Sequence, residues 1–125
     1  MAFTVKYDEE RDCVCVSVKG AFNLVAMRSL STEVGTHLEE NQCNCILNDM
    51  RNASLIDTIT NTWFMPGMAL RSGIHRRIKR ALVVSDISQE FLFLETVFLN
   101  SGNIVKLFLD IDDARNWLFI DRIEQ

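Results

Sequence analysis

One proline, five glycines and two histidines are all that 125 residues contain of these types, and each scarcity closes off a class of protein. So little Pro and Gly excludes collagen-like repeats, low-complexity linkers and long disordered tracts. His37 and His75 belong to no H-E-x-x-H spacing and to no recognisable nucleophile–base arrangement. There is no G-x-G-x-x-G, no Walker loop and no G-x-S-x-G, so the motif-bearing nucleotide-binding and hydrolase classes are not represented. No apolar run approaches the roughly 18 residues that a membrane-spanning helix takes. The opening MAFTVKYDEE has neither the basic start nor the apolar core of a secretory signal. A net charge of −4 and a pI near 5.1 argue against general affinity for nucleic acid, which rests on neutralising many phosphates. A cytoplasmic, non-catalytic protein without cofactor, metal, transmembrane segment or nucleic-acid partner is expected.

What is present is a core. Apolar residues make up 48% of the chain and charged ones 24%, and a chain of this length buries roughly two-thirds of its unfolded surface. One domain spanning residues 1–125 is expected. Four cysteines fall as Cys13-x-Cys15 and Cys43-x-Cys45. That spacing puts each pair on one face of a strand, and reduced thiols are the cytosolic norm. Small sheet residues are one reading of them and a four-thiolate zinc site is the other.

Phe3 to Tyr7 and Cys13 to Lys19 alternate around the charged turn DEERD, which predicts an antiparallel hairpin whose second strand ends at Gly20. From Asn23, an N-cap type, Leu24, Met27, Leu30, Val34 and Leu38 recur at helical spacing. Cys43 to Leu47 reads as a short strand. A polar stretch follows, and at Asp57 a second helical pattern begins through Ile59, Trp63, Phe64, Met68 and Leu70, which Pro66-Gly67 should kink or split. A basic run leads to a strand over Ala81 to Val84. Ser85-Asp86 and Ser88 then offer N-caps for a helix from about Gln89 to Leu99, Ile104 to Leu109 makes a last strand, and Asp110 caps a final helix carrying Ala114, Trp117 and Leu118. Strands alternating with helices after a leading hairpin give an α/β domain with a mostly parallel sheet of about five strands and about four helices.

Three groups of residues invite a functional reading. Asp57 and Thr58 open the second helix, where unpaired backbone N–H groups and the positive end of the dipole stabilise negative charge; they are either caps or the seat of a phosphate. The basic run supplies Arg76, Arg77, Lys79 and Arg80, either a solvated loop or a patch for an anion or an acidic partner. FLFLETVFL, Phe91 to Leu99, is apolar almost all the way round. Core packing, a homodimer face, and a pocket in which Trp63, Phe64, Met68, Phe91 and Phe98 enclose an apolar, lipid-like ligand are the three uses for it.

The element order and the segment Asp49-Met-Arg-Asn-Ala-Ser-Leu-Ile-Asp57-Thr58 resemble the STAS domain, whose bacterial type is the sporulation anti-sigma factor antagonist. In that family an Asp closes the third strand and, eight residues on, an Asp precedes a phosphorylatable Ser at the start of the next helix; Asp49, Asp57 and Thr58 match these positions. The family's Ser-Gly continuation is replaced here by Ile59-Thr60. The second half, with Phe108, Ala114, Trp117 and Leu118, is similar to a SpoIIAA-like subgroup of short bacterial proteins sometimes grouped with Sec14-type lipid-binding folds. The resemblance implies a single STAS/SpoIIAA-like domain acting as a regulatory interaction module. It also implies phosphorylation at Thr58 and a protein partner of the kinase or anti-sigma-regulator kind.

Overall fold

In the computed structural model, which describes residues 1–123, the chain opens on a hairpin. Strand β1, Ala2–Asp8, pairs antiparallel with β2, Cys13–Phe22. The turn between them is built from its own charges: Asp8 accepts hydrogen bonds from the backbone N–H of Arg11 (3.2 Å) and from its guanidinium (3.0 Å), and Tyr7 donates to Asp12 Oδ1 at 2.6 Å. Gly20 does not end β2. At φ +89° it carries the strand on to Phe22, past an irregularity between Ser17 and Lys19.

Three parallel strands follow: β3 (Cys45–Leu55), β4 (Lys79–Val83) and β5 (Ile104–Phe108), in the sequential order β1-β2-β3-β4-β5. The crossovers are α1 (Leu24–Asn41), α2 (Ile59–Arg71) and α3 (Gln89–Asn100). Successive crossovers of one hand, stepping the same way along a sheet, must lie on the same face, and α2 packs between α1 and α3. The final helix, α4 (Ile111–Ile123), returns to the opposite face against β3, β4 and β5, with Ala114 and Leu118 buried and Trp117 packed on Phe108 at 5.6 Å between ring centres. Each sheet face is therefore covered, and the strand interiors are apolar on both sides, as parallel strands require. Val14, Ile46 and Val105 look toward α1–α3, while Cys13, Cys45, Ala81 and Val83 look toward α4.

The helix starts are capped where the sequence indicates: Asn23 Oδ1 accepts from Ala26 N at 2.8 Å, Ser88 Oγ from Phe91 N at 3.2 Å, and Asp110 Oδ1 from the backbone N–H groups of Asp112 and Asp113. Two further expectations are overturned. Pro66 does not split the second helix, which runs unbroken from Ile59 to Arg71 with Pro66 buried inside it. The third strand does not stop at Leu47. It continues through the polar residues to Leu55, because β2 offers its backbone a partner all the way to the pair Phe22↔Leu55. Pairing of β3 with β4 ends at Asp49↔Val83, so the last parts of β2 and β3 leave the sheet as a two-stranded ribbon.

The cysteines are all free thiols. Cys13 and Cys45 are neighbours across β2 and β3, with their sulfurs 2.8 Å apart, and Cys43 and Cys15 donate to backbone carbonyls.

Candidate functional site

The ribbon ends in a tip from which two helices start. Phe22 and Leu55 close its apolar side, and Ile56 N donates to Phe22 O at 3.0 Å. Asp57 then joins both helices. Its Oδ2 accepts from Leu24 N, the first residue of α1, at 2.7 Å, and its Oδ1 accepts from Thr58 N and from the Asn61 side-chain amide, each at 2.7 Å. Partial burial alone would raise this carboxyl's pKa, but the hydrogen bonds from Leu24, Asn61 and Thr58 outweigh it and hold the group below the usual carboxylate range.

Thr58 is the N-cap of α2: its hydroxyl oxygen accepts from Asn61 N at 3.0 Å, its backbone is extended, and the residue is exposed. The helix begins one residue after Thr58, so the hydroxyl stands at the opening of the helix rather than within it. Around it are apolar side chains that the fold leaves in solvent. Val25 is 81% exposed, Ile59 74%, Ile56 64% and Trp63 61%. Ile59 and Trp63, four residues apart, share one stripe of α2. Val25 and Ile56 were not singled out from the sequence, where Ile59 reads only as part of the helical pattern. The available signal was apolar residues flanking a polar cap at Asp57-Thr58, but pattern alone does not say which apolar stripe is buried.

Asp49 does not join this tip. It lies on the α4 side of β3, gripped by Arg51 through Oδ1 and Oδ2 at 2.9 Å each, and that ion pair is the main cause of its lowered pKa. From Asp49 to Leu55 the chain is extended, about 20 Å at strand rise, which separates Asp49 from Asp57 and Thr58.

The basic run disperses. Arg77 is exposed, and Arg76 is exposed with its Nε donating to Ser101 O at 3.0 Å. Lys79 is half-buried on β4, donating to the Trp117 carbonyl and lying 4.4 Å over its ring. Arg80 is not on the surface at all: it is 5% exposed, beneath α3. The strand starts at Lys79 rather than Ala81, and its pleat turns Arg80 inward.

Nor do the five apolar candidates enclose a pocket. Trp63 and Phe64 are 61% and 56% exposed, Met68 is half-buried, and Phe91 and Phe98 belong to the core. An apolar cavity of about 80 Å³ between the sheet and α1–α3 has Phe98 in its wall but none of the other four. Among the described residues no group of three or more His, Cys, Asp or Glu side chains is placed to hold a metal ion. No described helix is long and apolar enough to cross a membrane.

No protein-family model and no curated protein sequence matches the chain. Solved structures do. The anti-sigma factor antagonist SpoIIAA, in its unphosphorylated form, is 17% identical with a TM-score of 0.58, and the match covers 98% of each chain. An anti-sigma factor antagonist from Mycobacterium paratuberculosis is 13% identical with a TM-score of 0.61 over 94% of each chain. At such identities the likeness is one of fold. The STAS, SpoIIAA-like fold is the architecture of the whole described chain.

Proposed function

We propose that this chain, built on the fold of the anti-sigma factor antagonists, is a non-catalytic regulatory module of the cytoplasm that docks a protein partner on its ribbon tip. The observation that carries the reading is an exposed N-cap hydroxyl, Thr58, on a tip where Val25, Ile56, Ile59 and Trp63 bury little within the chain. Exposed apolar anchors around a polar centre are the composition of a recognition surface, where a few large side chains carry most of the energy. A kinase or an anti-sigma-type regulator is the kind of partner that would read a hydroxyl in that setting.

Phosphorylation would act here as a switch. A phosphate on Thr58 Oγ1 faces the N-terminus of α2, which favours it, and stands beside the Asp57 carboxylate, which opposes it. Asp57 is the residue that ties α1 to α2, so repulsion at Thr58 would loosen that tie as well as recharge the docking surface. Affinity capture from the native host with the wild type, Thr58→Glu, Thr58→Ala and Trp63→Asp, together with phosphopeptide mass spectrometry, tests both parts. The expected result is a partner retained by Thr58→Ala and lost by Thr58→Glu and Trp63→Asp. An identical set of captured proteins for all four forms would sink the docking surface. Unmodified Thr58 in every growth state would sink the switch.

A further inference from the structure

Arg80 is a buried charge to which the described structure gives no opposite charge. On β4 it stands in register with Ile46 and Val105. Its Nη1 donates to Asn103 Oδ1 (2.9 Å), its Nη2 to the carbonyls of His75 (2.9 Å) and Ile74 (3.3 Å), and its guanidinium lies 5.4 Å from the centre of the Phe98 ring. Every one of these partners is neutral. The Nε–H has no acceptor, and among the described residues no carboxylate pairs with the guanidinium. Burial lowers its pKa to about 10, so the group keeps its charge at neutral pH, and its desolvation is offset by neutral partners alone.

Arg80 also forms part of the wall of the 80 Å³ cavity, whose surface is otherwise mostly apolar and rich in methionine: Met27, Met50 and Met65 line it with Leu30 and Val34. We propose that this cavity is a binding site for a monocarboxylate of acetate size, its carboxylate held by Arg80 and its methyl group by the methionine wall. A lone cation calls for one negative charge. Glu95, also on the wall with its Oε2 accepting from Leu107 N at 2.8 Å, disfavours a second. An apolar lining leaves sulfate or phosphate oxygens without donors, whereas it suits a hydrocarbon tail. The volume is about half of the roughly 150 Å³ in which an engineered apolar cavity holds the six heavy atoms of benzene, which sets the scale at acetate and leaves no room for butyrate. The Nε atom is itself covered, so its bond to the carboxylate requires the guanidinium to turn on binding.

The test is an NMR titration of the full chain with sodium acetate, propionate and butyrate at constant ionic strength, following the Arg80 Nε–H resonance and the methionine methyls. Saturable shifts of both are expected with acetate at low millimolar concentration, with butyrate weaker and acetamide, the neutral counterpart of acetate, at least about tenfold weaker. Arg80→Gln should lower acetate affinity by about tenfold or more. Since that variant removes bonds from a buried network, Ala69→Leu serves as a second: it fills the cavity from the α2 side, leaves Arg80 in place, and should abolish binding in a folded protein. An unmoved Nε–H with all three acids, acetamide binding as well as acetate, or undiminished binding by Ala69→Leu would each overturn the site.

Discussion

Asp57 carries more of the tip than its size suggests, because one carboxylate satisfies backbone donors at the starts of two helices and a side-chain amide besides. Replacing it by Ala removes all three bonds, and a loss of about 1–2 kcal/mol in urea unfolding at neutral pH is expected, on the scale of an N-cap. Its pKa is lowered in the folded state, so the unfolded chain binds its proton more readily, and stability rises with pH through that range. The contribution is complete above the unfolded carboxylate pKa of about 3.9 and is lost as pH falls through the lower folded value. Asp49 titrates in the same direction through Arg51. The deficit of Asp57→Ala should therefore be full at neutral pH and shrink toward zero in strong acid; a deficit that is constant with pH would show that the carboxylate's charge contributes nothing. What was legible in the sequence at this scale was local chemistry: Asn23, Ser88 and Asp110 cap where a short polar side chain precedes an apolar period. Arg80 was not legible, because a charge within a basic run gives no sign that the sheet buries it. That outcome is decided by the strand beginning two residues early and by Asn103 and the carbonyls of Ile74 and His75, which are distant in the chain or reversed by a turn.

At the level of elements, α1 comes very close to the backbone that caps the C-terminal end of α2. A Cβ built on Gly35 would lie 2.0 Å from the backbone oxygen of Ser72, a contact that cannot be relieved by rotating a side chain. Gly35→Ala should cost about 3 kcal/mol or more, at or above the upper end for overpacking, read as a fall in the urea midpoint with an unchanged slope. A variant as stable as the wild type would mean that the two helices separate easily. Helix α3 is two-sided in the same layer: Phe91, Leu94, Val97 and Phe98 are buried, while Leu92 and Leu99 remain 45% and 49% exposed. Core packing accounts for the first four residues. The least legible element was β3. Between Asn48 and Ser54 only Met50 and Ala53 are apolar, and the other polar residues mimic a loop; the strand exists because β2 lies alongside it, which is a non-local fact. The second helix shows the opposite failure. Its apolar residues at Ile59, Trp63 and Phe64 gave the right element, but the stripe that enters the core is the one carrying Met65 and Ala69.

For the molecule as a whole, the order of strands and helices follows from the alternation of periods, and the sheet order follows from it because each crossover moves one place along. The packing of both faces leads to a prediction about the thiols. Cys13, Cys43 and Cys45 are 1–2% exposed, and only Cys15 is half-buried. A thiol reagent at neutral pH should label Cys15 in the native protein and reach the other three only at the rate of global unfolding. Prompt reaction of all four would indicate that the α4 layer opens locally. The two tryptophans report on different places: Trp63 is exposed at the tip, and Trp117 is packed against Phe108 and Lys79. In a Trp117→Phe background, partner binding at the tip should shift the remaining emission to the blue, and an unchanged spectrum on saturation would place the partner elsewhere. Because the helix starts are carried on a ribbon beyond the end of β4, side chains there can be exchanged without disturbing the layers that hold the chain together. Two paralogues with the same scaffold would then be told apart by a handful of outlying residues, and specificity could drift through a lineage far faster than stability does.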